Sequence, residues 1–264
     1  MNTPKEVINN INQIALSKGK YKKSKTLILA ILAGAYVAFG ALLAIIVAGG
    51  SPGITENNPG LAKFIFGATF PIGLILVVIV GAELFTGNNA YFIPNLLRRR
   101  QPIYHMFRNW IIVYSGNFIG ALFLAYVITH LTHVVHSEPY INSVYSIAEG
   151  KTSHTFLVTF IKGIGANWLV CLAIWQGVAS ENTAGKIIAI WLPVMAFVAI
   201  GFEHSIANMY FIPLAIFEGA NITWTTFFIK NLIPATLGNI VGGVLFVGLP
   251  YGHLFNKKMQ PKNQ

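Results

Sequence analysis

The chain has 264 residues, of which 55% are hydrophobic and only 10% charged, and its mean hydropathy is +0.62. A water-facing domain normally carries about 25% charged residues, so a soluble enzyme is excluded. The formal net charge of +10 does not point to nucleic acid, because the basic residues gather at the ends of apolar segments.

Met1–Lys25 is polar and contains six lysines. The apolar run behind it is too long for a signal-peptide core. The segment is expected to be cytoplasmic, with Val7–Ala15 as a short amphipathic helix on the inner membrane surface. Downstream, Thr26–Thr55, Phe64–Ala82, Asn109–Ser137, Gly163–Ser180, Ile187–Phe202 and Asn231–Asn256 contain no Asp, Glu, Lys or Arg. A membrane-spanning helix needs about 20 mostly apolar residues. Six spans are therefore predicted at 26–49, 61–97, 104–133, 154–179, 186–217 and 224–254, forming one channel domain over 26–254, with 255–264 as a cytoplasmic tail.

Alternating spans put the six N-terminal lysines, Arg98, Arg99, Arg100, Arg108, Lys186, Lys257, Lys258 and Lys262 on one face. The positive-inside rule makes that face cytoplasmic. Lys63, Lys151, Lys162 and Lys230 fall toward the outer side. The outer loops, Gly50–Gly60, His136–Ser153 and Glu218–Trp224, are rich in turn residues. Cys171, the single cysteine, is expected to be a packing residue with no internal disulfide.

The second and fifth spans are too long for one plain helix, and both are interrupted. Gly81-Ala82-Glu83 and Gly201-Phe202-Glu203 are each followed by a short insert and then by Asn-x-Tyr-Phe-Ile-Pro, the insert being five residues in the first and four in the second. The next spans also match: Asn109 precedes Gly116-Asn117-x-x-Gly120, and Asn231 precedes Gly238-Asn239-x-x-Gly242, with six residues between the first Asn and Gly in each. This is an internal repeat of three helices. An odd number of spans inverts the second copy, and paired broken helices in inverted repeats mark a substrate pathway. The fold class is therefore an all-α integral membrane protein: two inverted three-helix repeats with broken second and fifth helices.

Non-helical backbone at membrane depth survives only inside protein or beside a polar cavity. The bared amides and dipole at the start of each following half-helix favour negative charge, which points to an anion or weak-acid substrate. Glu83 and Glu203, with Asn88 and Asn208, are expected to support the broken loops. The carboxylates would accept bonds from the freed amides of their own loops, the rival reading being a proton relay. His204 has Leu84 as its repeat counterpart, so the repeat does not require it, and it is read as a proton-exchanging group in a pore, the rival reading being a buried neutral imidazole bonded within the loop. Thr86 and Asn167 offer polar atoms that orient an anion or bond the backbone. His130, His133 and His136 are read as interfacial histidines, and Gly116–Gly120 and Gly238–Gly243 as helix-packing surfaces.

The break motifs Gly-Ala-Glu-Leu-Phe-Thr-Gly-Asn at 81–88 and Gly-Phe-Glu-His-Ser-Ile-Ala-Asn-Met at 201–209 resemble the formate/nitrite transporter family. So do Asn167-Trp168-Leu169-Val170-Cys171-Leu172-Ala173 and Asn231-Leu232-Ile233-Pro234-Ala235-Thr236-Leu237-Gly238-Asn239. The resemblance covers residues 26–250. It implies a homopentamer of aquaporin-like protomers, each with its own pore, in the cytoplasmic membrane of a prokaryote. Carried over by motif, it makes His204 the central pore histidine, Thr86 its partner, Asn167 the fourth-span pore asparagine, and Lys151 the source of a positive field at the outer vestibule. Leu74 and Phe85 would form the cytoplasmic constriction and Phe197 the periplasmic one, with Phe70 beside it.

The expected function is a channel or proton-coupled transporter for a small weak-acid anion, formate first, with nitrite and hydrosulfide as alternatives. The partners are that anion, membrane lipid and further copies of the chain. No nucleic acid, cofactor or metal is expected, and no enzymatic activity. The reading from a different class is a membrane enzyme with His130, His133, His136 and His204 as metal ligands.

Overall fold

The computed structural model describes residues 1–255, and among these it contains helices and no strand. Of the tail expected at 255–264, residues 256–264 lie outside the described residues. The first helix, α1 (Pro4–Lys20), starts on a capping box. Thr3 accepts the Glu6 amide with its side chain, and Glu6 accepts the Thr3 amide at 2.7 Å, which satisfies two of the donors a helix start leaves bare.

The buried stripe of α1, comprising Val7, Ile8, Ile11 and Ala15, faces protein. This corrects the expectation of a helix lying on the membrane surface. The Asn2 amide donates to the Ala179 carbonyl, Asn95 Nδ2 donates to the Asn12 carbonyl at 2.8 Å, and the Arg108 guanidinium donates to the Gly19 carbonyl at 2.6 Å. These bonds, together with burial of the stripe, fasten α1 across one end of the bundle, the end named inner after the basic residues Arg98, Arg99, Arg100 and Arg108 that the positive-inside rule assigns to it.

The chain then runs through α2 (Lys23–Gly49), α3 (Pro52–Asn57), α4 (Pro59–Val80), α5 (Phe85–Tyr91), α6 (Ile93–Leu97) and α7 (Ile103–His130). The second half follows as α8 (Tyr140–Thr152), α9 (Phe156–Ala179), α10 (Thr183–Ile200), α11 (Ser205–Phe217) and α12 (Trp224–Phe255). Helices α2, α4, α7, α9, α10 and α12 are long and apolar enough to cross a membrane. Large apolar side chains such as Ile28, Ile111, Leu157 and Ile188 are exposed on them. Water would not tolerate such a surface, and lipid does. The sequence reading omitted α8, which occupies most of the outer loop between α7 and α9.

The two halves pack alike: α2 lies along α7 and α4, and α9 lies along α12 and α10. The glycine motifs explain how closely. A Cβ on Gly120 would overlap the Ile31 carbonyl oxygen, and one on Gly242 the Ile164 carbonyl oxygen, so only glycine lets these backbones meet. Between α4 and α5, and between α10 and α11, the chain leaves the helix for four residues, 81–84 and 201–204. Gly81 at φ +87° and Gly201 at φ +83° end the first half-helices, a conformation that a side chain would strain.

Candidate functional site

Each break is held by the same set of bonds, drawn from corresponding residues. The Glu83 amide donates to the Leu29 carbonyl at 3.2 Å, and the Glu203 amide to the Lys162 carbonyl at 3.4 Å. Asn117 Nδ2 donates to the Glu83 carbonyl at 2.9 Å and the Ala30 carbonyl at 2.7 Å, while its Oδ1 accepts the Phe85 amide at 2.9 Å. In the other half, Asn239 Nδ2 donates to the Glu203 carbonyl at 2.9 Å and the Gly163 carbonyl at 2.8 Å, and its Oδ1 accepts the Ser205 amide at 2.8 Å. A side-chain amide can serve both sides of a broken backbone because it donates and accepts at once. The first amide of each following half-helix is thus already occupied, where the sequence reading left it bare for an anion.

The carboxylates lie above these junctions. Glu83 accepts from Asn88 Nδ2 at 2.8 Å, Asn109 Nδ2 at 3.2 Å and Lys18 Nζ at 2.6 Å. Glu203 accepts from Asn208 Nδ2 at 2.7 Å, Asn231 Nδ2 at 3.2 Å and Lys151 Nζ at 3.1 Å. The expected partners, the backbone amides of their own loops, are replaced by a side-chain amide from the following half-helix, another from α7 or α12, and one lysine each. Both ions are nearly buried, so each lone charge has the partner that burial demands. The aromatic backing also matches, with Lys18 over the Tyr91 ring at 5.1 Å and Lys151 over the Phe211 ring at 5.5 Å.

These equivalences correct the register of the insert. Asn88 and Asn208 both follow their glutamate by five positions and make the same bonds, so the halves align without a gap through Tyr91 and Phe211. The extra residue lies after Asn88, and the first half absorbs it in the interruption at Phe92 between α5 and α6, whereas α11 continues unbroken.

Leu84 and His204 occupy the same place, at the N-caps of α5 and α11, with φ, ψ of −108°, 126° and −106°, 113°. His204 Nδ1 accepts the Ala207 amide at 3.1 Å, and Nε2 lies 2.9 Å from Thr86 Oγ1. With Nδ1 an acceptor, the neutral ring carries its proton on Nε2 and donates it to Thr86. The Thr86 hydroxyl proton is then left to donate elsewhere. This contact joins the two breaks, across 118 positions of sequence.

Two vestibules approach it. The outer cavity, of about 820 Å³, includes Lys151, His154, Lys162, Phe70, Phe197 and His204 in its wall. The inner cavity, of about 430 Å³, includes Lys18, Lys186, Leu74, Val77 and Leu84. Phe70 and Phe197 meet edge to face at 6.2 Å, and Phe197 stands 5.8 Å from the His204 ring. Phe85 instead packs on Tyr114 at 4.8 Å and Trp110 at 6.0 Å, and Leu84 lines the inner cavity at this level. Asn167 lines neither cavity. Its amide donates to the carbonyls of Thr86 at 3.1 Å and Asn239 at 2.6 Å, tying the two halves together under Thr86.

Sequence reasoning did not find Lys18, or the bonding roles of Asn109, Asn117, Asn231 and Asn239. A polar signal was present, since asparagine inside an apolar span needs partners. His130 and His136 each place Nδ1 3.1 Å from one oxygen of the buried Glu218 carboxylate. Among the described residues, no group of three or more His, Cys, Asp or Glu side chains is arranged to hold a metal ion.

Residues 5–253 match the formate/nitrite transporter family. A probable formate transporter of Methanothermobacter thermautotrophicus is 44% identical over 271 residues, covering 97% of this chain and 98% of that protein. Among solved structures, an FNT family ion channel has a TM-score of 0.82 and 33% identity, covering 95% of this chain and 97% of the other. A pentameric formate channel with formate bound has a TM-score of 0.77 and 34% identity, covering 89% and 98%.

Proposed function

The chain belongs to the formate/nitrite transporter family, and from that premise we propose that it is a pore for formate, with nitrite and hydrosulfide as the same-fold alternatives. It is a multi-pass membrane protein. Kinship with the pentameric formate channel supports a homopentamer with one pore per protomer. Kinship with a transporter from Methanothermobacter supports the cytoplasmic membrane of a prokaryote, and the basic residues of the inner face support cytoplasmic termini. Residues 1–25 then form a cytoplasmic segment and 26–254 the channel. The task is passage across a barrier, with no catalysed reaction.

One observation carries the reading: the Thr86–His204 contact of 2.9 Å, made where two broken helices meet between two vestibules. We assign the outer constriction to Phe70 and Phe197 and the inner one to Leu74 and Leu84, with Phe85 behind. An anion leaving water for such a layer pays a large desolvation cost. Taking up a proton removes that cost, because an apolar environment favours the neutral form of a carboxylic acid. Thr86 Oγ1–H is free to meet a substrate oxygen at the narrowest point, His204 Nε2–H meets one by releasing the Thr86 oxygen, and Asn167 holds Thr86 in place.

His204 acts in its neutral form. Its one proton lies on Nε2, and Nδ1 is closed by the Ala207 amide, so passing a proton to formate would leave an imidazolate or cost that bond. The proton therefore travels on the substrate. In proteoliposomes, His204→Phe is expected to slow formate flux at least about tenfold, while His204→Gln, which restores an N–H donor, keeps most of the flux and its acceleration at low pH. A Gln variant whose flux no longer responds to pH would overturn the donor role and reinstate the proton relay. Absence of formate, nitrite and hydrosulfide flux in the unaltered protein would overturn the transport reading itself.

A further inference from the structure

The outer vestibule is lined by three lysines, Lys63, Lys151 and Lys162, and by the carboxylates Glu56 and Glu203. Lys151 is closed into its wall by Glu203 at 3.1 Å, with side-chain exposures of 17% and 3% for the two, so this pair adds no net charge to the cavity. Lys162 differs. It lies on α9, two turns below the helix start, and its Nζ is 2.7 Å from His154 Nε2. Among the described residues, no carboxylate lies within ion-pair distance of it. The ammonium donates one hydrogen bond to the ring nitrogen and keeps two N–H donors for other partners.

The repeat does not account for this lysine. The bond from the Glu203 amide to the Lys162 carbonyl has its counterpart in the bond from the Glu83 amide to the Leu29 carbonyl. The fold therefore needs only a backbone carbonyl at this position, and leucine serves in the other half. A cation carried at membrane depth is costly to place, and it faces a cavity or a functional partner where it occurs. The asymmetry is of the same kind as His204 against Leu84, and both of its polar members line the same cavity.

We propose that Lys162 Nζ, steadied by His154, is the capture site for a small monovalent carboxylate or oxyanion in the outer vestibule. Two free N–H donors on one ammonium suit the two oxygens of formate or nitrite. The uncompensated charge raises the anion's local concentration above the constriction. The inference rests on the transport reading and assigns the outer approach to Lys162, Lys151 being paired with Glu203.

The test is initial formate flux in right-side-out and inside-out vesicles of the full chain, over a range of sodium formate and of ionic strength at constant pH. Lys162→Met is expected to raise the half-saturating concentration about threefold to tenfold for loading at the outer mouth only, with the maximal rate within about twofold of the unaltered protein. It also weakens the loss of flux on adding inert salt, because screening then has less charge to act on. Lys162→Arg retains the original saturation, and His154→Ala raises half-saturation by about twofold to threefold. Where Lys162→Met assembles poorly, Lys162→Gln carries the same comparison.

Unchanged saturation and salt response in Lys162→Met, or an equal change at both mouths, would overturn the site while leaving the transport reading intact. Silence of the unaltered protein toward formate, nitrite and hydrosulfide would overturn both.

Discussion

The break at 81–84 and the break at 201–204 share almost every bond that shapes them. A glycine ends the helix, an asparagine from the following span bridges the gap, and a glutamate sits in a ring of two asparagines and one lysine. Two differences bear on the pore. The inner break has Leu84 where the outer one has His204, and the glutamate amide meets the carbonyl of Leu29 in one half and of Lys162 in the other. The paired lysines correspond, since Lys18 and Lys151 each lie eleven positions before that carbonyl residue and each bonds its glutamate. The shared parts thus build a stable interruption in a membrane helix. The unshared parts give the pore its polar centre and distinguish one mouth from the other.

That division is open to direct attack, most strongly at the bridging asparagines. Asn239→Leu would strand the Ser205 amide and the carbonyls of Glu203 and Gly163, and Asn117→Leu would strand their three counterparts. Each buried group left unpaired costs about 1–3 kcal/mol, so each variant is expected to lose about 3–5 kcal/mol of stability in detergent unfolding. The equivalence of the breaks demands similar losses, and a loss confined to one half would end it.

A smaller effect separates the lysines. Lys18→Ala and Lys151→Ala each leave a buried carboxylate without its cation, at a cost of about 2–3 kcal/mol given that both ammonium groups are partly exposed. Adding Glu83→Gln to Lys18→Ala should recover most of the loss in the same unfolding assay. Failure to recover would mean that Lys18 stabilises α1 by packing and not through Glu83.

The smallest effect concerns the start of α1. The Thr3 amide and hydroxyl hold the Glu6 carboxyl below its ordinary value. A lowered folded-state value stabilises the helix start at neutral pH, and the contribution is lost as pH falls below the ordinary carboxylate range and through the lowered value. The protection of amides in the first turn of α1, relative to their intrinsic exchange rate at each pH, is expected to fall over that acid range while the first turn of α11 stays protected. An equal fall at both ends would deny that α1 has a separate, weaker attachment.

Much of this was legible in the residues. The spans followed from charge-free stretches, the breaks from two matching polar interruptions, and the special standing of His204 from its mismatch with Leu84. The register slipped by one because Tyr-Phe-Ile-Pro is a conspicuous match, although the hydrogen bonds align Asn88 with Asn208 and Tyr91 with Phe211. Asn117 and Asn239 were visible only as members of glycine-rich packing motifs. Glycine lets the backbones approach, and that approach is what brings each asparagine within reach of three backbone groups.

The sequence by itself determined the spans, the repeat, the two interruptions and the residue types at their centres, because hydrophobicity, charge and glycine act locally and leave a periodic trace. Tertiary structure decided which lysine serves which glutamate, that α1 lies on protein, that Phe85 stands behind Leu84, and that Lys162 meets His154 instead of a carboxylate. Those outcomes depend on distances between side chains far apart in the chain. Lys18 and Glu83 are 65 positions apart and Thr86 and His204 are 118 apart, and only the packing of the two inverted halves brings either pair into contact.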